Sequence, residues 1–549
     1  PGSIASTAGG IAAEKTYACG FVPGKAAGGT DTGACYQADN SCTTISRTSP
    51  SQDAAGLQCL SAGGIFVPDQ SCGKAPASLN FERENAYYVS PLVIIDDGKV
   101  TEFPLSDPRS RGYRTRIETD AAIDWIKSRP SSRPWMATVA YSAAHTPWQQ
   151  PPRGLVPVSG NAAADGWDCN GSLTGRLIQD QMTEAMDSEF GRLLVETGLA
   201  RRGDDGRLQY DPKAANTVIV IVGDNGSLGS AVKLPFSGSQ AKGTAYQTGV
   251  WDPLIIAGPQ VAQPDREVDH MVNMVDLFQF FGEVAGIDAH AAVPRTIDSV
   301  AILPYLTHPD QPSLRTVNFT IGGYNQQADG GRNGACVINT SCTQIPVSKS
   351  VCEDNQGIWW GAGYDDPSVV PNGGAGYGSC WSVNQALYKA DRDQLEILPE
   401  ISAAIRDDRY KLVRNTRQAY DSASDSGTSV VTEELYEVDQ AVPTPLLDTP
   451  DRDLLVAPTA EVNTAYANLR AKLDEMLAAD PDCPGDGNRD GVVDAEDLSN
   501  WSRLARDWGL SSVYDFVIAN VLDGRTNDAD GRIVQNNLGK TCPKSHGIY

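Results

Sequence analysis

Residues 217–229 read TVIVIVGDNGSLG: an unbroken apolar or β-branched run, a glycine, then Asp224, Asn225 and Gly226. A run without polar alternation is the pattern of a strand covered on both faces, and such strands occur mostly in parallel sheets packed between helices. In these sheets ligands gather beyond the carboxyl ends of the strands. A carboxylate and an amide side by side at such an end supply oxygen donors for a hard cation such as calcium.

The flanking sequence continues the alternation. TDAAIDWIKSRP (119–130) has apolar residues at helical spacing and stops at Pro130, and WMATVAYS (135–142) reads as a buried strand. Met182, Met186, Phe190, Leu193 and Leu194 form one helical face that ends near Gly198, ahead of the 217–222 strand. PLIIAG (253–258) is a further strand and MVNMVDLFQFFGEVAG (271–286) a further helix. The expected fold is α/β, a mostly parallel sheet sandwiched by helices over residues 83–325. AAIRDDRYKLVRN (403–415) and EELYEV (433–438) read as two antiparallel strands. With the amphipathic helix carrying Tyr466, Leu469, Leu473, Met476 and Leu477 they make a smaller β-subdomain, residues 396–480.

Two cysteine-rich units interrupt this plan, at 1–82 and 326–395. GACYQADNSCTTIS, with Cys35, Cys42, Cys59 and Cys72, is echoed by GACVINTSCTQIP, with Cys336, Cys342, Cys352 and Cys380. Units this small lack a core of their own, so disulfide staples are their expected role. Pairing within each unit is expected, the connectivity stays open, and Cys19 with Cys169 is left as a remainder. PLVIIDDGKV (91–100) reads as a hairpin, because Asp-Gly between apolar runs is a turn signal.

Composition sets the surroundings. The 549 residues hold 44 Lys and Arg against 69 Asp and Glu, and a net charge of -25 disfavours nucleic acid and anionic membranes as partners. Twelve cysteines point to an oxidising compartment, extracellular or periplasmic. No apolar run reaches the roughly 18 residues of a membrane span. The chain begins at Pro1 without a leader pattern, so a removed leader or a longer polypeptide is expected.

The tail, residues 481–549, carries an explicit motif. DGNRDGVVDAED places Asp486, Asn488, Asp490, Asp494 and Asp497 at loop positions 1, 3, 5, 9 and 12, with Gly491 at position 6. That is calcium-loop spacing. TNDADGRIVQNN (526–537) keeps Asp528 and Asp530 but has Thr526 and Asn537 at its outer positions, so weak binding or none is expected. Two such loops bracketed by Cys483 and Cys542 resemble a dockerin-like module, which implies attachment to a protein partner; a tail merely stiffened by calcium is the other reading.

In the core, AYSAAHTPWQQPP places His145 directly after the expected 135–142 strand, and SGSQAKGTAYQTGVWDPLIIAGP places Lys242 in a Gly-rich loop before the next one. A histidine can move protons and a lysine can neutralise an anionic oxygen. The ordered set of "HTP", MTEAMDSEFGRLL, "DNG", "KGTAYQTG", "PLI", "VDLF", "RDDRYKL" and "ELY" resembles the sulfatase family of the alkaline-phosphatase-like superfamily, over residues 85–475. The resemblance implies hydrolysis of sulfate esters, from small molecules or polysaccharides. It also implies Asp224 and Asn225 as ligands of an active-site calcium, with Lys242 and His145 contacting the sulfate.

Departures accompany the resemblance. The family nucleophile is a formylglycine made from the Cys or Ser of a C/S-x-P-x-R motif, and no such motif is present; SDPRSR at Ser106 puts Ser110 where Arg is required. YQTGVWDP stands where the family has an acidic residue, a second Gly and an Arg. The expectation is a sulfatase lacking its opening segment, inactive as it stands. A phosphodiesterase or phosphonate hydrolase of the same superfamily, and a non-catalytic binding scaffold, remain alternatives.

Overall fold

The computed structural model describes residues 32–37, 39–46, 65–68, 71–73, 92–96, 99–103, 113–145, 151, 155–158, 172–293, 297–323, 334–345, 349, 352, 357–438, 446–478, 483–507, 509, 512, 514–516 and 524–542. Cys19, Cys59, Cys169, Ser106 and the Asp97-Gly98 turn lie outside these residues. The first cysteine unit forms a three-stranded antiparallel sheet of β1 (Thr32–Tyr36), β2 (Cys42–Ser46) and β3 (Ile65–Pro68), with β1 central. The expected hairpin follows as β4 (Leu92–Asp96) and β5 (Lys99–Phe103), antiparallel with Ile95 opposite Val100.

The core begins with α1 (Arg114–Lys127), whose cap at Ser128 stands two residues before Pro130, and α2 (Ser172–Glu196). Gly198, at φ 76°, supplies the left-handed residue that turns the chain after α2. The two helices meet through Ile123, Leu193 and Leu194. Arg192 adds ion pairs to Asp120 (2.7 Å) and to the buried Glu189. A short hairpin, β6 (Ala200–Arg202) and β7 (Leu208–Tyr210), leads to the quoted stretch.

That stretch forms β8 (Ile219–Val222), and PLIIAG forms β9 (Leu254–Ala257). One face, Val220 with Leu254 and Ile256, packs on α3 (Asp276–Val284) through Leu277 and Phe280. Ile219 faces the α1–α2 cluster. The pairing corrects the expectation of parallel neighbours: β8 and β9 are antiparallel, Ile219 opposite Ala257 and Val222 opposite Leu254. An apolar run says nothing about the direction of the neighbouring strand, and the expected cover on both faces is not found either: Ile221 and Val222 of β8 and Ile255 of β9 are exposed. Residues 135–142 depart from expectation too. They run along α1, Val139 in the helix cluster and the Tyr141 hydroxyl 3.1 Å from Thr119 Oγ1, yet they join no ladder and leave Met136 exposed.

Beyond α3, β10 (Asn318–Gly322) leaves the core and joins the C-terminal sheet. The second cysteine unit contains β11 (Gly334–Ile338), β12 (Ser341–Ile345), β13 (Ile358–Trp359), α4 (Cys380–Lys389) and β14 (Glu396–Ile397). Its bridges run Cys336–Cys352 and Cys342–Cys380, first to third and second to fourth, and all four cysteines are buried. Cys42–Cys72 repeats the second-to-fourth bridge in the first unit, so the sequence repeat is also a structural one.

The C-terminal sheet has the order β10, β15 (Ile401–Arg406), β16 (Tyr410–Asp421), β17 (Ser426–Glu437). AAIRDDRYKLVRN is therefore two strands around a turn rather than one, the Asp407 carboxylate accepting from the Arg409 and Tyr410 amides at that turn. Helix α5 (Ala460–Leu477) packs Val462, Leu469 and Leu473 onto Leu412, Leu435 and Ile405. At the tip of the β16–β17 hairpin, Asp425 accepts from Lys389 Nζ (2.9 Å), Gln385 Nε2 (2.8 Å) and the Tyr420 hydroxyl (2.8 Å). These donors, Lys389 first, hold its carboxyl down to about 2. A depressed acid favours the folded state above its ordinary value of 3.8, and that contribution is lost as pH falls through about 2. Carbon-detected NMR titration of Asp425 is expected to give a midpoint near 2, moving toward 3.8 in Lys389→Met.

Candidate functional site

Past Val222 the chain stays beside the segment that leads into β9. The Gly223 amide donates to Pro253 O (3.1 Å), Gly226 to Gly249 O (2.9 Å) and Ser227 to Thr248 O (2.9 Å). Two glycines permit this approach. A Cβ on Gly226 would lie 2.1 Å from Thr248 O, and one on Gly249 would lie 2.3 Å from Thr244 O. The Lys242 amide then donates to Ser227 O at 2.8 Å, which brings the lysine loop to the loop of Asp224 and Asn225.

Asp224 and Asn225 are exposed and Lys242 is half-buried. Burial pulls the Lys242 ammonium down from its ordinary value, and the Asp224 charge opposes that shift. Asp252 stands across from Gly223, whose Cβ would come within 2.9 Å of the Asp252 side chain. Burial, then the charge of Asp224, raises its carboxyl. Asp252 is thus a second carboxylate beside Asp224, in the segment where this sequence departs from the family pattern. An all-oxygen donor set of this kind fits a hard cation.

His145 arrives from another direction. Its amide donates to Ser142 O (2.9 Å), and the preceding Ala143 and Ala144 pack with Met182, Leu228 and Ala231. Since Leu228 and Ala231 follow the Asp224 loop, the His145 turn is seated on the same loop. Glu118 of α1 fixes the turn from behind, accepting from the Ser142 amide (3.1 Å) and Arg114 Nε (2.8 Å).

The lysine loop is held by the C-terminal sheet. Ser402 Oγ accepts from the Ala245 amide (2.9 Å) and donates to Asn415 Oδ1 (2.6 Å). Asn415 Nδ2 donates to the Tyr246 hydroxyl (2.8 Å), which with the Tyr436 hydroxyl donates to Glu434 (2.6 Å each). Beside this chain, Asp448 Oδ2 accepts from the Gln247 amide (2.8 Å) and from buried Lys411 Nζ (2.7 Å), while the Asp448 amide donates to Gln247 Oε1 (2.7 Å). Burial lowers the Lys411 ammonium and Asp448 opposes it. Sequence reading placed RDDRYKL in the family pattern without giving Lys411 a role. The available signal was a lysine and an asparagine among apolar strand residues.

In the tail, Asp486, Asn488 and Asp497 are buried while Asp490 and Asp494 are exposed. Asp497 Oδ1 accepts from the Gly487 amide (3.1 Å), and its Oδ2 from the Asp494 amide (3.0 Å). Asp486 Oδ2 accepts from the Gly491 amide (3.1 Å), and its Oδ1 is buried with no hydrogen-bond partner. An orphaned carboxylate oxygen is costly unless something cationic meets it, so the residues present fit a calcium ion. Helix α6 (Ala495–Asp507) follows, and the disulfide Cys483–Cys542 closes the module.

The second loop differs from its expectation. Asp528 opens α7 (Asp528–Asn537), with Asn527 as cap and Asp530 reaching back to the Asn527 amide (2.9 Å). Asn-x-x-Asp satisfies a capping box, and the residues that spacing assigned to a twelve-residue loop wind instead into a helix.

The chain is a distant relative of proteins named as sulfatases. It is 23% identical to the human N-acetylglucosamine-6-sulfatase over 239 residues, 41% of this chain and 41% of that protein. It is 27% identical to a sulfatase of Formosa agariphila over 198 residues, 35% of this chain and 33% of that one. The chain thus spans about two fifths or less of the length of these curated relatives. No family model matches it.

Proposed function

We propose that this chain forms the calcium- and anion-binding part of a sulfatase-type hydrolase acting on sulfate esters of carbohydrates or aryl compounds. The supporting observation is the docking of the Lys242 amide on Ser227 O at 2.8 Å, which gathers Asp224, Asn225 and Lys242 at one strand end. Asp224 and Asn225, with Asp252 beside them, would hold the calcium, which when bound offsets charge on the sulfate oxygens. Lys242 contributes a partly desolvated positive charge to the same oxygens. His145 serves proton transfer from the turn above the loop. No residue is assigned as nucleophile.

The disulfides Cys42–Cys72, Cys336–Cys352, Cys342–Cys380 and Cys483–Cys542 favour a secreted or periplasmic setting. Among the described residues no helix is long and apolar enough to cross a membrane. The first tail loop binds calcium in this reading, and the module as a whole is a candidate for attachment to a protein partner.

Calorimetric titration with 4-nitrophenyl sulfate and with glucosamine 6-sulfate, with calcium and with EDTA, tests the reading. Calcium-dependent binding is expected, weakened at least tenfold in Lys242→Ala, as loss of a charged contact implies. Preference for the matched phosphate ester would move the assignment to phosphoester hydrolysis. Binding unaffected by both EDTA and Lys242→Ala would remove this site from consideration.

A further inference from the structure

Residues 229–238, which run from the Asp224 loop toward Lys242, make a loop with a closed neck. Gly229 and Gly238 face each other across it: a Cβ on Gly229 would lie 2.7 Å from Gly238 O, and one on Gly238 would lie 2.8 Å from Gly229 O. The stem is built into the candidate site. Leu228 and Ala231 pack with Ala143 and Ala144 of the His145 turn, and beyond the neck Gln240 O accepts from Thr248 Oγ1 (2.7 Å) just ahead of Lys242. Within the loop the Phe236 amide donates to Lys233 O (3.1 Å), and Ser237 Oγ lies 2.9 Å from Ser239 Oγ. A loop held at so many points presents its side chains in fixed places.

Two cations meet on it. Arg176, half-buried in α2, donates Nη2 to Val232 O at 2.9 Å, and its Nε is buried with no hydrogen-bond partner. Lys233, the next residue along the loop, is exposed. The carbonyl that Arg176 grips belongs to the peptide bond entering Lys233, so both positive groups share one short stretch of loop. Among the described residues neither has a carboxylate within ion-pair distance.

That absence of pairing runs against the composition. The chain has 69 acidic residues against 44 basic ones, so carboxylates are in excess. Two cations brought together without one repel each other and raise a local positive potential, which gathers anions. Lys242 adds a third positive charge at the foot of the same loop. One sulfate group requires Lys242 and the neighbouring cation site only, which leaves Arg176 and Lys233 over.

We propose that Arg176 and Lys233 form a second anion subsite, which takes a further sulfate or carboxylate of a multiply charged carbohydrate while Lys242 holds the sulfate ester. The inference rests on the reading of Lys242 given above and narrows it, from sulfate esters in general to polyanionic carbohydrates. A singly charged aryl sulfate leaves the second subsite empty.

Calorimetric titration of the full chain in calcium with chitotetraose bearing one 6-sulfate, and with chitotetraose bearing four, tests it. The parent is expected to prefer the second ligand roughly 20- to 40-fold, about fourfold from the number of ways to seat one sulfate and the rest from the second charged contact. The preference should fall in Lys233→Ala and in Arg176→Gln, and in the double variant to about the fourfold that multiplicity alone supplies. Binding of the single-sulfate ligand should stay within about twofold of the parent in these variants, since one lost contact at the other subsite does not touch it. If Arg176→Gln loses that binding as well, its fold has suffered and the exposed Lys233→Ala decides alone. A parent preference of no more than about fourfold, or a full preference retained in Lys233→Ala, overturns the second subsite. Lys242→Ala keeps the two readings apart: weaker binding of both ligands there leaves the first site standing whatever Lys233 shows, and unchanged binding of the single-sulfate ligand overturns the first site and this proposal with it.

Discussion

Lys411→Met is expected to destabilise the protein by about 3–5 kcal/mol, the range for removing one partner of a buried ion pair. Lys411 and Asp448 have side chains 5% and 1% exposed and meet at 2.7 Å. With the ammonium gone, Asp448 keeps only the Gln247 amide as donor to its Oδ2, and its Oδ1 already has no partner. The carboxylate would be left charged in a dry place, or would take up a proton. The destabilisation should therefore shrink as pH is lowered and protonation of Asp448 becomes easy. Adding Asp448→Asn should recover most of the loss, because the amide oxygen still receives the Gln247 N–H without a charge. Urea midpoints at pH 7 and pH 5 for the single and double variants decide it; a loss below about 1 kcal/mol at pH 7 would mean the pair contributes as little as a surface bridge. Because Asp448 also anchors Gln247, binding by the lysine loop should weaken with stability in the single variant and return in the double one.

Gly226→Ala is expected to separate function from stability. The new methyl would meet Thr248 O at 2.1 Å and the Gly249 carbonyl carbon at 2.4 Å, all backbone with no side chain to swing aside. The two segments must move apart, which breaks the Gly226–Gly249 and Ser227–Thr248 hydrogen bonds. Overpacking of this kind costs about 1–3 kcal/mol. The larger effect falls on the site, since Asp224 and Asn225 precede the displaced residue and Lys242 docks on the next one. Calcium-dependent binding of a sulfated ligand should fall at least tenfold while most of the fold survives, as judged by circular dichroism. Retained binding would show that the glycine crossing does not set the site's geometry.

Part of this was legible in the sequence. The helices over 114–127 and 460–477 were marked by their apolar spacing, and Pro130 marked the end of the first; the Thr459 cap of the second, whose Oγ accepts from the Val462 amide, was not read from the sequence. The β4–β5 hairpin followed from Asp-Gly between apolar runs, and the repeated cysteine spacing returned as a repeated bridge. Asp224, Asn225, Lys242 and His145 were named from their chemical type and an expected strand end, but residues 135–142 ahead of His145 form no strand. These signals are local: one turn, one cap or one run of side chains contains all the information.

What the tertiary structure alone decided depends on partners distant in the chain. The antiparallel sense of β8 and β9, the exposure of Ile221 and Val222, the recruitment of β10 to the C-terminal sheet, and the helix in place of the second twelve-residue loop were not visible, because apolar patterning names neither the neighbour nor its direction. Lys411 reads as an ordinary lysine until Asp448 is placed against it, and Asn415 as an ordinary strand residue until Ser402 and Tyr246 close on it. Sequence spacing records which groups are near along the chain; a buried carboxylate's energy is set by which groups are near in space, and folding decides that.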